Sequence, residues 1–491
     1  MTGKAMKKVL VANRGEIALR VLESLQRLGI ASVAIYHESD RLSPVVQQAD
    51  EAFEIYGETP SAAHLDIEQI IALCKDNGVD AVHPCYGFLS ENTKFAKALE
   101  EQGIIFVGPS AEVIELMGDK IASRDFVSAN GFPVPPSITV DIDDPSFMGQ
   151  LQDMQFPVVV KASAGGGGKG MSIVRRPEDL AAAARVAASE ALKYFGDGRV
   201  YVERFFESAR HIEVQILGDG DNVIHCGERE CSIQRRFQKV IEESPSIALT
   251  AEARQQICEA AVGIAKTAKY SSAGTVEFLY TDQGEFFFLE MNTRIQVEHP
   301  VSEMVYDLDL VEQQLRIAAG ESLALCQSDI VANGHALECR ICAEDAFNDF
   351  MPATGKVLAV RAPQGEGVRF DSGIYAGQRV TTAFDPMLAK LIVHAPSREG
   401  AISKMQAALG ELVILGVKTN IDYLLALLDH DKIHFGDFDT NFIKNHDIKP
   451  LPLSEDVKHA ALSVAMLAEK ESQLMADKTP DLYSYIGAWS N

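Results

Sequence analysis

The chain has 491 residues, of which 47% are hydrophobic and 23% are charged, and this length predicts about three globular domains. Forty-five basic residues against 70 acidic residues leave a net charge of −25, which disfavours nucleic acid and anionic membranes as partners. An anion-binding site must therefore be a local cluster of basic residues. No apolar stretch approaches the roughly 18 residues of a membrane span, and we expect no signal peptide at the N-terminus.

Eight cysteines are scattered along the chain, and their spacing carries little functional signal. Cys339 and Cys342 form a CxxC pair, but the second pair or histidine cluster that a zinc site requires is missing from the sequence. We therefore expect these two residues to belong to the core of a strand. Few and scattered cysteines are typical of the reducing cytoplasm, which is the location that we expect.

The first 110 residues alternate short β-branched runs with helical patterns. Four runs predict buried parallel strands, at 8–12, 32–36, 81–84 and 104–108. Amphipathic helices lie between them, and three glycines are placed where helices end, Gly29, Gly78 and Gly103. This alternation predicts an α/β fold with an open, doubly wound parallel sheet. The turn after the first strand, NRGEIA, lacks the spacing of a dinucleotide fingerprint, which disfavours a dehydrogenase.

The rest of the chain has the pattern of an α+β protein. Residues 130–150 are rich in proline and aspartate, which predicts a linker or domain edge. Two strand patterns then flank a glycine run, and an alanine-rich helix near 178–193 precedes a further strand, VYVERF. Beyond residue 210 antiparallel strand patterns dominate. Helices are predicted near 251–268, 302–319 and 455–476, and later strands near 335–342, 356–361 and 388–394.

The sequence KASAGGGGKGM, at 161–171, is the clearest local signal of a ligand. Four consecutive glycines let backbone N–H groups approach an anion closely, as in a phosphate-binding loop. Lys161 before the glycines and Lys120 in MGDK are candidate partners for the phosphates. The Walker A pattern fails, because no serine or threonine follows Lys169. The alternative interpretation is a flexible hairpin tip.

Two segments, GTVEFLY and EFFFLEMN, predict an antiparallel hairpin that carries acidic side chains. A four-residue loop, TDQG, would place Thr275 opposite Glu290, so that Glu277 and Glu290 lie diagonally on one face. Asn292 falls on the same side. Two carboxylates and an amide on an apolar hairpin favour Mg²⁺ bound together with nucleotide phosphates. The alternative is a solvated sheet face, and an odd loop length would separate the two carboxylates.

A dense polar string follows the metal candidates directly, Arg294, Gln296, Glu298 and His299. A basic cluster in a strongly acidic protein indicates a focused anion site. Glu298 beside it has the position of a general base, provided that a substrate is held nearby. Taken singly, an arginine is more often a surface or ion-pair residue, so the string alone leaves both interpretations open.

Several long strings together resemble one family of ATP-grasp ligases, the biotin carboxylases. The strings are VANRGEIALR, HPCYGFLSEN, KASAGGGGKGM, RHIEVQILGDG, QRRFQKVIEESP, EMNTRIQVEHPVSE, ECRICAED and FDPMLAKLI. The resemblance implies an ATP-grasp core with a lid, beside the N-terminal parallel sheet and a mixed antiparallel C-terminal domain. The implied boundaries are 1–118 for the N-terminal domain, 119–333 for the ATP-grasp domain with a lid at about 134–206, 334–446 for the C-terminal domain, and 447–491 for an extension.

The resemblance also implies two half-reactions at one site. ATP phosphorylates bicarbonate to carboxyphosphate, and the carboxyl group then passes to N1′ of biotin. Matching positions imply a site for Mg²⁺ (or Mn²⁺) at Glu277, Glu290 and Asn292. The implied ATP-binding positions are Lys120, Lys161, Gly165, Gly166, Gly167, Gly168, Glu203, His211 and Gln234. Bicarbonate contacts are implied at Lys239, Arg294, Gln296 and Val297. The implied base is Glu298, and Arg340 would orient biotin and stabilise its enolate.

Two residues depart from the pattern that the resemblance implies. Phe237 stands in QRRFQK where the family commonly has histidine, and Cys85 stands in HPCYGFLSEN where glycine is usual. Phe237 could alter a nucleotide contact, and Cys85 makes the backbone less permissive. Neither residue belongs to the metal or bicarbonate sets, so we expect activity to survive.

The partners are predicted partly from what the sequence lacks. It has neither the AMKM-like turn that carries biotin nor a carboxyltransferase segment. We therefore expect biotin on a separate carrier protein or domain, a carboxyltransferase component and, from the resemblance, a homodimer. The reaction would be the first step of an acetyl-CoA, acyl-CoA or pyruvate carboxylase. The extension 447–491 resembles the linking region of acyl-CoA carboxylase α subunits, with a surface helix as the alternative.

Two other functions remain as alternatives at this point. One is a different ATP-grasp carboxylate ligase, which would use an amine or thiol acceptor and ignore biotin. The other is a non-catalytic binding homologue, in which we would expect at least one of four residues to be lost. These residues are all present, Glu277, Glu290, Glu298 and Arg340.

Overall fold

A computed structural model describes residues 6–140, 154–163, 171–452 and the positions 455, 458, 459, 462, 463, 466, 467 and 470. The glycine run 165–168 lies outside the described residues, as does most of the helix predicted near 455–476, whose described positions are helical. The chain divides into one compact unit that ends at Ile448 and a second unit that starts at Lys449. None of the described helices combines the length and the hydropathy needed to cross a membrane.

The N-terminal region forms a parallel sheet surrounded by helices. Its strands are β1 (Lys8–Val11), β2 (Ala31–Tyr36), β3 (Glu51–Glu54), β4 (Ala81–His83) and β5 (Ile105–Phe106), in the order β3-β2-β1-β4-β5. Its helices are α1 (Gly15–Leu28), α2 (Pro44–Gln48), α3 (Pro60–Ala63), α4 (Ile67–Asp76), α5 (Thr93–Glu101), α6 (Ala111–Gly118) and α7 (Lys120–Ala129). Val9, Leu10 and Val11 have no exposed surface, as expected of a strand covered on both faces. The predicted α/β fold is thereby confirmed.

The outer edge of this sheet differs from the prediction. β3 pairs in parallel with β2, but its sequence, EAFE, carries two glutamates and is only partly buried. A polar edge strand lacks the apolar run that marks a buried strand, so the sequence pattern misses it. Gly29 closes α1 with φ 67°, in the left-handed region, as predicted.

A smaller antiparallel sheet follows in the chain. Its strands are β6 (Ser137–Val140), β7 (Val158–Ala162), β8 (Met171–Val174) and β9 (Val200–Arg204), in the order β6-β9-β7-β8. The helix α8 (Leu180–Phe195) packs Leu180 and Ala184 against Val158 and Val160 of this sheet. β6 lies within the stretch 130–150 that is predicted to be a linker or domain edge, and residues 141–150 of that stretch lie outside the described residues. Pairing with β9, whose partner residues lie 60 to 66 positions later in the chain, stabilises this strand, and a local sequence pattern does not show that pairing.

The largest sheet is antiparallel and has eight strands. The strands up to residue 342 are β10 (Ala209–Asp219), β11 (Val223–Arg235), β12 (Gln238–Ser244), β13 (Ser271–Thr281), β14 (Phe286–Asn292) and β15 (His335–Cys342). The later strands of the chain are β16 (Glu344–Asp345), β17 (Met351–Pro352), β18 (Gly355–Lys356), β19 (Ala359–Arg361), β20 (Val368–Ser372), β21 (Arg379–Val380), β22 (Met387–Ala395) and β23 (Val413–Leu415). The order in the large sheet is β14-β13-β10-β11-β12-β15-β22-β20. One continuous surface therefore joins the predicted ATP-grasp and C-terminal regions.

The helices of this half correct one prediction. They are α9 (Ala251–Thr267), α10 (His299–Tyr306), α11 (Leu310–Ala318), α12 (Arg398–Glu411), α13 (Ile421–Leu428), α14 (Asp431–Phe435) and α15 (Phe442–Asn445). The single helix predicted near 302–319 is wrong, because α10 and α11 are separate. Asp307 ends α10 with a left-handed φ of 51°, and the side chain of Asp309 accepts from the backbone N–H of Glu312 at 2.8 Å to begin α11.

The CxxC pair lies where the sequence analysis expects it. Cys339 and Cys342 belong to β15, and Cys339 is part of the apolar core that also includes Met405 and Leu409 of α12. All eight cysteines of the chain are free thiols in the structure. Burial raises the pKa of the Cys339 thiol well above its usual value, which makes it unreactive.

Candidate active site

A cavity of about 440 Å³ lies beside the large sheet and brings many of the predicted residues together. Its wall is formed by side chains from β10, β12, β13, β14 and β15, by the loop that follows β14, and by the segment 385–387. The predicted residues that line it are His211, Lys239, Glu277, Glu290, Asn292, Arg294, Gln296, Val297, Glu298 and Arg340. These residues are up to 129 positions apart in the chain, so their convergence depends on the pairing of the strands.

The hairpin of β13 and β14 presents the two candidate metal carboxylates in a register that corrects the prediction. Thr275 lies opposite Asn292 rather than Glu290, and Glu277 lies directly opposite Glu290. The turn is one residue longer than predicted, which by itself would put the two carboxylates on opposite faces. A β-bulge, in which Leu289 is the extra residue, shifts the register once more. Both carboxylates therefore lie on one face, as the metal hypothesis requires.

Glu277 is a buried carboxylate at the centre of the site. Its Oε1 accepts hydrogen bonds from Asn292 Nδ2 at 2.9 Å, from Gln296 Nε2 at 2.8 Å and from Lys239 Nζ at 3.0 Å. The Nε2 atom of His211 lies 3.1 Å from Oε2. Burial alone raises the pKa of Glu277, but Lys239 and His211 lower it well below its usual value. Glu277 is therefore ionised at neutral pH.

Lys239 joins three carboxylates across the sheet. Its Nζ lies 2.5 Å from Glu213 Oε2, 3.0 Å from Glu277 Oε1 and 2.5 Å from Glu298 Oε1. Burial lowers the pKa of this ammonium by itself, but Glu213 and the other two carboxylates raise it well above its usual value. Lys239 therefore stays charged and can hold an anion in the cavity.

Arg229 and Glu213 contact the candidate site residues Gln296 and Lys239, and the sequence does not predict either contact. Arg229 is fully buried, and its Nε donates to Glu213 Oε1 at 2.6 Å. Its Nη2 donates to Gln296 Oε1 at 3.1 Å, which turns the amide nitrogen of Gln296 towards Glu277. The only signal in the sequence is a charged residue within an apolar strand pattern, HIEVQIL for Glu213, and this signal does not name the partner.

Glu298 lies between two cations at the wall of the cavity. Its Oε1 accepts from Lys239 Nζ at 2.5 Å, and its Oε2 accepts from Arg340 Nη2 at 2.8 Å. Arg340 Nε also donates to Glu242 Oε1 at 2.5 Å. Burial and Glu213 raise the pKa of Glu298, but Lys239 and Arg340 lower it below its usual value. The carboxylate is ionised and has the protonation state of a base.

The candidates for ATP binding are distributed between the cavity and the smaller sheet. Lys120 Nζ, at the start of α7, lies 3.1 Å from Glu290 Oε2 of the hairpin. Lys161 on β7 forms an ion pair with Glu203 on the neighbouring strand β9. Gln234 is buried in β11 and donates to a backbone carbonyl at 3.3 Å, and it is not among the described residues that line the cavity.

The loop after β14 is held from both sides. Arg294 Nε donates to Glu91 Oε2 at 2.9 Å, and its Nη2 donates to Asn292 Oδ1 at 2.8 Å. The carbonyl oxygen of Val297 accepts from Lys390 Nζ at 2.7 Å. These contacts fix the backbone that carries the candidate bicarbonate residues beside the hairpin.

The two departures from the family pattern have distinct environments. Phe237 lies at the tip of the hairpin of β11 and β12, at the mouth of the cavity, with 55% of its surface exposed and a φ of 66°. Cys85 is buried with a φ of 58°, in the left-handed region. Glycine adopts that region without strain, so the less permissive backbone expected at Cys85 is confirmed.

The acidic residues fit a cation that prefers oxygen ligands. Glu277, Glu290 and Asn292 share one face of the hairpin, and carboxylate and amide oxygens suit Mg²⁺. A second group, in which His211 and Glu213 join Glu277, has its ligand atoms within 4.8 Å of one another. The two groups share Glu277, and each of their carboxylates contacts a lysine ammonium, that of Lys239 for Glu213 and Glu277 and that of Lys120 for Glu290.

Comparisons with known proteins decide the family. The family model for the biotin carboxylase N-terminal domain matches residues 5–114, and that for the biotin carboxylase C-terminal domain matches residues 338–445. The model for the carbamoyl-phosphate synthase L chain ATP binding domain matches residues 119–326. Biotin carboxylase 1 of Bacillus subtilis (strain 168) is 44% identical over 446 residues, which cover 90% of this chain and 99% of that protein. The chain belongs to the biotin carboxylase family. It is an ATP-dependent ligase, and its reaction is the carboxylation of biotin with bicarbonate.

Further similar proteins extend this result. The mitochondrial methylcrotonoyl-CoA carboxylase subunit alpha of Mus musculus is 44% identical over 478 residues, which cover 96% of this chain and 66% of that subunit. A crystal structure of the biotin carboxylase domain dimer of Hydrogenobacter thermophilus 2-oxoglutarate carboxylase matches with a TM-score of 0.87 and 45% identity, covering 90% of this chain and 98% of that one. That domain was crystallised with MgADP, ADP and bicarbonate. The biotin carboxylase fold of this chain is thereby shown over most of its length.

Proposed function

We propose that the cavity binds MgATP and bicarbonate, forms carboxyphosphate and transfers its carboxyl group to biotin on a separate carrier protein or domain. The observation that carries the proposal is Glu298, an ionised carboxylate held between Lys239 and Arg340 on the cavity wall. Bicarbonate is a poor nucleophile, so it must be deprotonated and held against the γ-phosphate of ATP. The carboxylate can remove the proton from bicarbonate, and the two cations beside it can hold the resulting anion in place.

Glu298 is the proposed base for bicarbonate. Lys239 and Arg294 supply positive charge for the anion, and Gln296 supplies an oriented amide. The backbone N–H of Val297 is the fourth proposed contact. In the structure, each oxygen of Glu298 accepts from one cation. An entering bicarbonate would share those donors and transfer its proton to a Glu298 oxygen, leaving carbonate to attack the γ-phosphate.

Arg340 is the proposed residue for biotin. The ureido nitrogen of biotin is barely acidic, and a guanidinium at the ureido oxygen favours the enolate. Arg340 uses Nε for Glu242 and Nη2 for Glu298. An exchange of Nη2 from Glu298 to the ureido oxygen therefore retains the contact with Glu242, which keeps the guanidinium aimed into the cavity.

The metal and nucleotide positions follow from the same face of the sheet. Mg²⁺ held by Glu277, Glu290 and Asn292 would neutralise the charge that develops on the transferring phosphoryl group. Burial alone lowers the pKa of His211, but Glu277 raises it to about 9, so this imidazole is a cation that can face a phosphate. The proposed ATP contacts are Lys120, Lys161, Glu203, His211, Gln234 and the backbone of 165–168.

The domain boundaries remain part of the proposal. We propose domains at 1–118, 119–333 and 334–446, with a lid at about 134–206 and an extension at 447–491. The proposed lid is supported by the smaller antiparallel sheet, whose four strands β6 to β9 all belong to this range. The similarity of the mouse subunit over 96% of the chain supports a role for the extension in a larger carboxylase.

The partners and the cellular location are also part of the proposal. A biotinylated carrier and a carboxyltransferase are needed to complete an acyl-CoA or pyruvate carboxylase. A homodimer is supported by the dimer of the Hydrogenobacter thermophilus domain. The eight free thiols support the reducing cytoplasm as the location.

The experiment that tests the proposed function is phosphate release from MgATP in the presence of bicarbonate, with and without free biotin. We expect strong stimulation by biotin in the wild-type enzyme, and its loss in Glu298→Gln and Arg340→Ala. Glu285→Gln, an exposed glutamate at the hairpin turn, is the matched control and should retain activity. Turnover that depends on bicarbonate but also ignores a biotinylated carrier would favour another ATP-grasp ligase, and no turnover would favour a binding protein.

A further inference from the structure

The neighbouring strands β15 and β22 each bind one of two consecutive loop residues, Val297 and the proposed base Glu298. Arg340 on β15 lies directly opposite Lys390 on β22, so both side chains leave the same face of the sheet. Arg340 binds the carboxylate of Glu298 at 2.8 Å, and Lys390 Nζ donates to the carbonyl oxygen of Val297 at 2.7 Å. One cation therefore holds the side chain of the base, and the next holds the backbone immediately before it.

Lys390 is a buried charge with its own counter-ions. It has no exposed surface, and its Nζ lies 3.2 Å from Glu16 Oε2 of α1 and 3.7 Å from Asp371 Oδ2 of β20. Burial lowers the pKa of Lys390 by itself, but Glu16, followed by Glu338 and Asp371, raises it above its usual value. The hydroxyl of Tyr86, a residue of the cavity wall, donates to Glu16.

Charge balance alone does not account for this arrangement. A buried ammonium is costly unless its hydrogen bonds are satisfied, and Glu16 would satisfy the charge of Lys390 without the loop. The third contact goes to a backbone carbonyl of the peptide that joins Val297 to Glu298. Holding that carbonyl restricts the rotation of both residues, and these residues carry the proposed bicarbonate contact and the proposed base.

We propose that Lys390 is a positioning residue for bicarbonate, acting through the Val297 carbonyl to fix the Val297 N–H and the Glu298 carboxylate relative to each other. This inference rests on the proposed function and deepens it, because it adds a residue outside the cavity to the bicarbonate site. Lys390 is not among the residues that line the cavity, so its effect on bicarbonate must pass through the loop.

The test compares the Michaelis constants of bicarbonate and ATP in the phosphate-release assay. Lys390→Met removes the donor and keeps the length of the side chain. We expect the KM for bicarbonate to rise about tenfold, because the loss of one hydrogen bond from a charged group weakens binding by about that factor. The KM for ATP should stay within about twofold of the wild type. Lys390→Arg, which keeps a charged donor, should recover part of the bicarbonate affinity.

Two controls separate positioning from folding. Glu16→Gln combined with Lys390→Met leaves no unpaired charge between α1 and β22, so this variant is decisive if Lys390→Met fails to fold. We expect it to keep the defect in bicarbonate KM. Lys404→Met removes another lysine that donates to backbone carbonyls, those of Glu366 at 2.9 Å and His394 at 2.7 Å, and should leave the bicarbonate KM unchanged.

The outcomes distinguish this inference from the proposed function. A folded Lys390 variant with the bicarbonate KM of the wild type would overturn the positioning role, as would full recovery in the double variant. Equal increases of the KM for bicarbonate and ATP would also overturn it, because they would indicate general damage to the fold. Wild-type enzyme that shows no phosphate release dependent on bicarbonate would instead overturn the proposed function itself.

Discussion

At the scale of single residues, the site is a set of buried charges that stabilise one another. Lys239 contacts three carboxylates, and Arg229 contacts one of them from behind the cavity. Each group is ionised because its partners offset the cost of burial. The same groups hold bicarbonate and its base in the proposed reaction, so stability and catalysis depend on the same ion pairs.

The first prediction concerns Lys239. Lys239→Met leaves Glu213, Glu277 and Glu298 without their shared ammonium, and breaking a buried pair in this way costs about 3–5 kcal/mol. We expect a lower urea midpoint of unfolding together with loss of activity. Lys97→Met is the control, because its ion pair with Glu115 at 3.0 Å is exposed and such pairs contribute about 0–1 kcal/mol. Equal shifts in the two variants would contradict the prediction.

The second prediction concerns pH and His64. Its ring stacks on Phe88 with centroids 4.7 Å apart and meets Phe384 edge-on at 6.1 Å. Burial, followed by Arg14, lowers the pKa of His64 to about 4. The unfolded chain therefore binds a proton near pH 6.5 that the folded chain takes up only near pH 4. The contribution of His64 to the free energy of unfolding is fully present above pH 6.5. Below that pH it falls by up to about 1.4 kcal/mol per pH unit.

Unfolding by urea at pH 7.5 and at pH 5 measures this effect. His64→Gln should lose less stability between the two values than the wild type loses, because glutamine does not titrate. His459→Gln replaces an exposed histidine and should lose as much as the wild type. The prediction is wrong if the two variants respond to acid in the same way.

At the scale of elements, the β-bulge in β14 offsets the longer turn of the hairpin, so that the two proposed metal carboxylates lie on one face. The turn of the hairpin and the bulge each shift the register by one residue from the predicted pairing. Their effects on the side-chain faces cancel, because side chains in a strand alternate with a period of two. Glu277 and Glu290 consequently face each other on the side of the sheet that carries the cavity.

The third prediction tests the bulge directly. Deletion of Leu289 removes the extra residue and leaves a regular ladder in which Glu290 still lies opposite Glu277. We expect Mn²⁺ binding in the presence of ATP, followed by electron paramagnetic resonance, to stay within about threefold of the wild type, about 0.7 kcal/mol. Glu290→Ala is the comparison and should weaken the metal site much more. A deletion variant as weak as Glu290→Ala would show that the bulge itself positions the carboxylates.

At the scale of the whole molecule, the large sheet crosses the proposed boundary between residues 333 and 334. Ile241 of β12 pairs with Cys339 of β15, and β15 in turn pairs with β22. Glu298 comes from one side of this boundary, and Arg340 and Lys390 come from the other. The site therefore exists only when both parts of the sheet are joined.

The fourth prediction follows from this continuity. A fragment of residues 1–333 exposes the edge of β12, and unpaired edges favour association between chains. We expect this fragment to aggregate on size-exclusion chromatography and to show no turnover. A fragment of residues 1–448, which keeps the first compact unit complete, should fold and remain dispersed. A well-folded 1–333 fragment would contradict the prediction.

Local features of the sequence predict the chemistry of this protein and the type of most of its elements. The motifs identify the family, the β-branched runs predict four of the five parallel strands, and the residue types at Glu277, Glu290 and Glu298 indicate metal and base chemistry. These are properties of composition and local spacing, which a sequence carries directly. The bulge at Leu289 is not predicted from either strand alone, because the register depends on how both strands pack.

The tertiary structure also supplied the residues that support the site. Arg229 and Lys390 are distant in the chain from the loop at 294–298 and meet it only because strands of one sheet pack side by side. The separation of α10 from α11 at Asp307 and the pairing of the polar edge strand β3 are likewise features that local sequence patterns do not predict. Local patterns do not report which distant partner satisfies a buried charge or a backbone hydrogen bond, and in this fold those partners determine where the proposed catalytic groups lie.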